Sequence, residues 1–457
     1  MISWFLSVLF ILMLIAVGFI IVNYFLRDYL NFYENFGLAI GAGLMINFVN
    51  VTALSTFGLK ISTVVLILLN SLWVTALYLW SRRQHRALFV NNFTKEKLSY
   101  LSIGILLLIS LILFVMLYRV LSSGFSSWDE FSFWGKAARM TFVNQNIFVN
   151  RAVTVEGSGQ PLFWPSSVGS MAIFAGSFVE NYIKMLTLSF FASFLVFLYG
   201  FAGRFKLEVN EKLLAVLMFV SSSQILIQFS TYLHADAAFM YYYAVGTLLL
   251  FAGLVEEKTR KELLLPGFLA LSVLVFVKRG GSVLSLISIF SLAIVSLKGL
   301  FREGYWKKFA IASIAIVALQ LLWSLVAPAL GQISSPFMVS KPFEFFYYGL
   351  QRLPGISYLV LVRMNNHYYF TTVWFFSISS IILGALFLRR RIYYALATFL
   401  ILNVAYLLVA YLVMFSEFEI NTLGSFERYA IAFLPVCFLA IIVFYNDMKK
   451  GLLWKKV

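Results

Sequence analysis

Long apolar segments recur from one end of this sequence to the other, and they constrain its fold more than any other feature. A run of about 20 apolar residues is long enough to cross the hydrocarbon core of a bilayer as a helix. Hydrophobic residues occupy 62% of the 457 positions and charged residues only 12%, which is too little charge to cover a soluble domain. A β-barrel would alternate apolar and polar residues instead. The sequence therefore predicts an all-α polytopic membrane protein.

The apolar runs predict thirteen membrane-spanning helices and two long connecting loops, 122–180 and 331–370. One run, 263–277, is short enough to be a tilted or partly buried element. The predicted spans are 3–26, 36–58, 61–80, 99–121, 181–203, 213–231, 237–255, 263–277, 281–297, 309–330, 371–388, 393–415 and 429–446.

Basic residues predict how these spans are oriented. If SRRQHR (81–86) lies in the cytoplasm, most Lys and Arg residues fall in short inner loops, including the run of three arginines at 389–391. The N-terminus and both long loops are then outside, and the C-terminus is inside. The net charge of +16 accordingly reflects topology, and we expect no nucleic-acid partner. The first span lacks a cleavage site, so we interpret it as a retained helix.

We divide the chain into N-terminal transmembrane helices (1–98), a transmembrane body that carries both outer loops (99–446) and a cytoplasmic tail (447–457). No soluble domain is predicted. Any chemistry is therefore expected at the outer face of the membrane.

The same orientation places most of the unusual polar residues outside. Ionisable groups at the edge of a span are costly unless they are paired or wetted, so a set of them predicts a functional site. The set comprises Asp129, Glu130, Lys136 and Arg139 in the first loop, His234 and Asp236 at a helix end, Lys278 and Arg279 at a turn, Arg352, Arg363 and His367 in the second loop, and Glu417, Glu419, Glu427 and Arg428 before the last span.

The segment SSWDEFSFWGKAARM (126–140) predicts a helix that begins near Trp128 and is capped by one of the preceding serines. At helical spacing Asp129 and Lys136 share one face, about 10 Å apart along the axis, which suits the two ends of one ligand. The alternative is that Asp129 and Glu130 only complete the helix start, where the dipole favours negative charge. The aromatic residues, among them Trp128 and Trp134, suit packing on a sugar or an isoprenoid chain.

The other outer residues also allow two interpretations. Lys278 and Arg279 before two glycines suit a lipid phosphate, or they are anchors that extend towards the interface. His234 and Asp236 form a metal pair, or they form a structural pair or a helix cap. Arg428 binds a substrate, or it pairs locally with Glu427 or Glu419. The single Cys437, in an apolar run, excludes an internal disulfide.

In their order and common sidedness, five motifs resemble the GT-C glycosyltransferases, most closely the bacterial branch related to protein mannosyltransferases and the lipid A aminoarabinose transferase. The resemblance covers about residues 128–435, and the first three spans look like an addition to it. The motifs are WDEFSFWGKAARM, QPLFWP, HADAAF, VKRGGS and SFERYAIAFLP. Many relatives place an acid near the Lys-x-Gly turn, where this chain has Arg279 and Gly280.

The resemblance implies transfer of a sugar from a polyprenyl-phosphate donor to a glycan, lipid or protein acceptor, outside the cytoplasmic membrane. It implies Asp129 as the general base, with Glu130 as its neighbour or substitute, and Lys136, Lys278, Arg279 and Arg428 as ligands of the donor phosphate. Trp128, Trp134, His234, Asp236, Glu427 and Tyr429 would line the substrate pocket. Some relatives use a divalent metal and others do not, so no cofactor is assigned.

Three other classes remain open on the sequence alone, and one of them is a non-enzymatic membrane scaffold. An O-antigen-type polymerase or ligase would rely on Arg352 and Arg363 of the second loop. A transporter or lipid flippase would need polar or broken helices in mid-membrane, where this chain has mostly Leu, Phe and Ile.

Overall fold

The structure, a computed structural model, describes residues 2–85, 87, 96–148, 161–221, 227, 230–254, 261–278, 280–302, 305–329, 350, 353–358, 360–362, 373–413 and 426–451. Several predicted residues lie outside the described part of the chain, namely Arg279, Arg352, Arg363, His367, Glu417, Glu419 and the side chain of Glu427.

The described residues form helices joined by short connections, and each predicted span overlaps a helix within its described residues. Nine of the helices within the described ranges are long and apolar enough to cross a membrane, so the chain has the fold of an all-α multi-pass protein. The total of thirteen spans stays a prediction. The helices are α1 Ile2–Leu26, α2 Phe32–Thr56, α3 Thr63–Arg83, α4 Tyr100–Ser122, α5 Gly135–Asn144, α6 Phe163–Ala175, α7 Glu180–Ile183, α8 Met185–Ala202, α9 Val209–Ser221, α10 Asp236–Leu254, α11 Leu264–Val277, α12 Gly281–Arg302, α13 Trp306–Ala329, α14 Val373–Leu383, α15 Arg391–Val413 and α16 Phe426–Lys449.

Helix α10 is the centre of the bundle. Almost all of its residues are buried, and it packs against α2, α8, α11, α12 and α16. Its tyrosines tie it to the N-terminal helices, because Tyr241 and Tyr242 each donate a 2.7 Å hydrogen bond to a backbone carbonyl of α2. Helices α3, α4 and α13 are mostly exposed and apolar, as expected for lipid-facing positions.

The N-terminal helices α1 and α2 pack with their backbones in direct contact. A Cβ atom added at Gly18 or Gly43 would clash with the backbone of the opposite helix. Small residues permit such close approach inside membranes, where burial of apolar surface against a partner gains little over lipid. This packing, together with the tyrosine bonds, joins the N-terminal helices to the rest of the bundle.

Polar side chains gather at the two ends of the bundle. We call the end that contains Asp129, Asp236 and Arg428 the outer end, following the predicted orientation, and the opposite end the inner end. The inner end holds ion pairs between residues that were all predicted to be cytoplasmic: Glu34 with Arg204, Glu96 with Lys212, Asp447 with Arg390, and Glu208 and Glu211 with Lys449. The alternation predicted from basic residues therefore matches the packing.

The first outer loop is partly helical, as predicted, over its described residues. A helical turn begins at Trp128, widens into a π-helical turn over Glu130–Trp134 and continues as α5. Helix α6 follows, and all of its residues are buried among α1, α2 and α5. The loop is thus packed onto the outer end of the bundle and holds its helix start in a fixed place.

Candidate functional site

The site lies where four separate segments meet at the outer end. Asp236 is the first residue of α10, Lys278 directly follows α11, Arg428 lies in the first turn of α16, and Asp129 comes from the first outer loop. Each of these positions is the end of an apolar helix or lies beside one. The packing of α10 against α11 and α16 therefore brings charges together that are far apart in sequence.

Asp236 is the buried anion of the site. Its side chain is 0% exposed, and its Oδ1 lies 2.6 Å from Nζ of Lys278. Its Oδ2 accepts two hydrogen bonds from Arg428, at 3.1 Å from Nε and 3.0 Å from Nη2. A carboxylate buried among apolar helices is stable only when it is compensated in this way, so Asp236 fixes the positions of both cations.

Arg428 connects Asp236 to the first outer loop. Its Nη1 donates a 2.5 Å hydrogen bond to Oδ2 of Asp129, so one guanidinium binds two carboxylates. The Asp129 side chain is 34% exposed, and its Oδ1 makes no hydrogen bond within the described residues. Asp129 is therefore the solvent-accessible acid of this cluster, whereas Asp236 is buried.

Aromatic rings surround the ammonium group of Lys278. Its Nζ lies 4.7 Å from the ring centroid of Tyr429 and 5.8 Å from that of Phe239. Ring faces attract cations in desolvated sites. Gly280, which has a left-handed backbone with φ of +81°, follows at the turn, and a Cβ atom there would press against the hydroxyl of Tyr406. The turn is thus shaped to hold Lys278 against Asp236.

His234 links Asp236 to the loop from a second direction. Its Nε2 lies 2.6 Å from Oγ of Ser127, and its Nδ1 lies 3.5 Å from Oδ2 of Asp236. The second distance is too long for a well-formed hydrogen bond. The series of serine, histidine and aspartate therefore positions the loop residue Ser127, which precedes Asp129 by two residues.

Glu130 lies beneath the site and holds the loop in place. Its Oε2 accepts the backbone N–H groups of Ser126 and Ser127 at 2.7 and 3.0 Å, and its Oε1 accepts that of Leu233 at 2.7 Å. Lys184 lies 3.6 Å from Oε1. Burial alone would raise the pKa of Glu130, but these N–H groups and the Lys184 ammonium outweigh it and lower the pKa.

This arrangement bears on the two interpretations of the acid pair. The sequence Ser-x-x-Glu from Ser127 to Glu130 forms half of a capping box, because Glu130 accepts the N–H of Ser127. The hydroxyl of Ser127 is bound to His234. Glu130 therefore acts as a buried structural group in the helix start, while Asp129 projects to the site.

Lys136, in the first turn of α5, is exposed. Within the described part of the chain it forms no ion pair with Asp129 or Asp236, and none with Asp129 was expected at the predicted separation. The π-helical turn Glu130–Trp134 lies between Lys136 and Asp129. A π turn needs more residues than an α turn, so it changes the angular spacing that was expected to put Lys136 and Asp129 on one face.

The two tryptophans of the loop have different surroundings. Trp128 is 72% exposed next to Asp129, so it is open to a ligand or to the membrane interface. Trp134 is only 2% exposed and packs edge-on against Phe133, with ring centroids 4.5 Å apart. Trp134 therefore contributes to the packing of the loop, and its predicted contact with substrate would require the loop to move.

Sequence reasoning missed two residues that build the site. Lys184 lies at the start of a predicted span, and its contact with Glu130 joins positions 54 residues apart in sequence. Ser127 was considered only as a cap. A lysine one turn after Glu180 at an outer span end was a usable signal, because it needed a buried partner.

No group of three or more His, Cys, Asp or Glu side chains that could hold a metal ion occurs among the residues that the structure describes. Both oxygens of Asp236 are already bound by cations. Comparisons of the chain with family models, curated proteins and solved structures gave no match.

Proposed function

We propose that this chain is a membrane glycosyltransferase of the GT-C type. It transfers a sugar from a polyprenyl-phosphate donor to a hydroxyl group of a glycan, lipid or protein, on the outer side of the cytoplasmic membrane. One observation carries the proposal: Arg428 contacts both an accessible carboxylate and a buried carboxylate that also holds Lys278. A base and two cations thus lie together at the ends of apolar helices.

Asp129 is the proposed general base. Displacement of a sugar from a phosphate needs a group that takes the proton of the attacking hydroxyl. Asp129 is exposed enough to meet a substrate, and its Oδ2 is oriented by Arg428. The exposed ring of Trp128 beside it offers a surface for an acceptor sugar.

Arg428 and Lys278 are the proposed ligands of the donor phosphate. The leaving phosphate gains negative charge as the bond to the sugar breaks, and cations that are already in place stabilise this charge. Asp236 holds both cations and balances their charge in the protein. Arg279, which follows Lys278 but lies outside the described residues, is a further candidate for this role.

The place of the site also supports a lipid donor. The cluster sits at the ends of α10, α11 and α16, where the phosphate of a polyprenyl lipid lies when its chain is in the bilayer. A donor that arrives through the lipid explains why such an enzyme would need no soluble nucleotide-binding domain.

The test is sugar transfer by membranes that contain the full-length protein. The membranes are incubated with polyprenyl-phosphate sugars labelled in the sugar, and the label is followed into lipid, glycan and protein fractions. We expect Asp129→Asn to lower transfer by about 10²-fold or more, the usual contribution of a general base. Asp28→Asn removes an exposed carboxylate at the inner end and serves as the matched control.

Two results would contradict the proposal. One is full transfer activity in an Asp129→Asn, Glu130→Gln double variant. The other is loss of activity on Arg352→Ala and Arg363→Ala while Asp129→Asn stays active, which would favour the polymerase or ligase class. Movement of the labelled lipid across the membrane without any transfer would favour a transporter.

A further inference from the structure

The bonds of Arg428 to Asp236 and to Asp129 have different surroundings. Nε and Nη2 bind Asp236, whose side chain is fully buried and is also held by Lys278. Nη1 binds Asp129, whose side chain is 34% exposed on a loop. One edge of the guanidinium is therefore anchored, and the third bond points to the accessible side of the site.

The two bonds differ in what it takes to break them. Removing a partner from Asp236 would leave a charge buried without compensation, which costs several kcal/mol. Asp129 can regain water when it leaves Arg428, so the net cost of breaking that pair is small, as for other exposed ion pairs. The bond between Nη1 and Asp129 is therefore the exchangeable one.

Under the proposed function, the donor phosphate and Asp129 compete for Arg428. The donor phosphate needs the guanidinium of Arg428, and Asp129 accepts a hydrogen bond from Nη1 of the same group. A carboxylate oxygen that already accepts a hydrogen bond from an arginine also has less room to accept the proton of a hydroxyl. Phosphate binding and base activation would both be served if Asp129 left Arg428.

We propose that the donor's phosphate displaces Asp129 from Nη1 of Arg428, and that the released carboxylate then becomes the base. This inference rests on the proposed function and adds an order of events to it, in which donor binding precedes activation of the base. The Asp129 carboxylate is released to accept a proton only when a lipid phosphate is bound. The acceptor hydroxyl is therefore deprotonated only beside a donor.

The chemical step balances with groups already named. The oxygen of the acceptor hydroxyl forms a bond to the anomeric carbon, and the bond from that carbon to the phosphate oxygen breaks. The electron pair stays on the lipid phosphate, next to Arg428 and Lys278. The proton of the hydroxyl goes to Asp129. No oxidant or further co-reactant is needed.

The test measures binding of a lipid phosphate that carries no sugar. Purified full-length protein in detergent is titrated with dodecyl phosphate, and with dodecanol as the uncharged control. We expect Asp129→Asn to bind dodecyl phosphate about tenfold more tightly than the unmodified protein, because its amide competes less for Arg428 than a charge-assisted bond does. Arg428→Gln should weaken binding, and Asp28→Asn should leave it unchanged.

Unchanged or weaker binding by Asp129→Asn would overturn the proposal, and so would equal tightening for dodecanol. Asp129 is partly exposed, so its variant is expected to fold, and its melting temperature checks this. If Asp129→Asn binds dodecyl phosphate more tightly but the unmodified protein transfers no sugar, the displacement is supported and the glycosyltransferase function is rejected. If the unmodified protein transfers sugar, Asp129→Asn does not, and the two bind dodecyl phosphate equally, the function is supported and the displacement is rejected.

Discussion

At the scale of single residues, charge compensation at Asp236 determines the geometry of the site. This carboxylate lies at the first turn of α10, where the helix dipole favours an anion, and it binds Lys278 and Arg428. The two cations face it from different helices. Any change of its charge is therefore expected to disturb the packing of α10, α11 and α16 together.

We predict that Asp236→Asn destabilises the protein by about 3–5 kcal/mol, because it removes the buried carboxylate that binds both Lys278 and Arg428. An Asp236→Asn, Lys278→Met double variant should recover part of this loss, since it removes one of the uncompensated charges. The measurement is thermal unfolding of the detergent-solubilised protein. Equal stability of the single variant and the unmodified protein would show that the ion pairs contribute little.

At the scale of elements, the π-helical turn Glu130–Trp134 decides which loop residues face the site. Gly135, the first residue of α5, packs directly against Phe125 and the carbonyl of Glu130. The close approach permits Glu130 to remain buried while Asp129 projects outward. The turn thus separates the structural acid from the accessible one.

We predict that Gly135→Ala destabilises the loop, since the added Cβ atom would overlap Phe125 and the Glu130 backbone. The expected result is a lower melting temperature and a loss of transfer activity of about tenfold, because small displacements of a base are costly. Gly104→Ala in α4 is the control, because nothing lies within 4 Å of its added Cβ atom. Similar effects from both variants would contradict this explanation.

At the scale of the whole molecule, polar networks lie at both ends of the bundle and apolar packing fills the length between them. The inner-end ion pairs involve residues of α2, α9 and α16. The outer end carries the candidate site. Which end faces the cytoplasm stays a prediction from the basic loops.

Cysteine labelling on intact cells tests that orientation. Cys437 is buried, so an introduced cysteine should be the reactive one. We expect Arg139→Cys, in the first outer loop, to react with a membrane-impermeant maleimide from outside. Gln84→Cys, at the end of α3, should react only after the membrane is opened. Reaction of Gln84→Cys on intact cells would invert the orientation.

The sequence predicted helices and their order well, because an apolar run of span length has few other ways to satisfy its backbone. It also predicted Asp129, Asp236, Lys278 and Arg428 at one end, and the structure brings these four together. The pairing of Arg428 with Asp236, 192 positions apart, depends on helix packing that no local pattern encodes.

Two other expectations depend on local structure that the sequence does not show. Lys136 was expected two turns from Asp129 on one helix face, and a π-helical turn between them alters that spacing. Glu130 was considered a substitute base, yet it accepts an N–H group from Leu233, which lies 103 positions away. Contacts of this kind become visible only when the loop is seen against the bundle.

Helix α16 begins beside Arg428 and ends beside Lys449, which binds Glu208 and Glu211. Its 24 residues span roughly 36 Å, and ion pairs hold both of its ends. A tilt of this helix would strain the ion pairs at both ends at once. A displacement of Lys449 at the inner end is therefore expected to reach Arg428 at the outer end through this one helix.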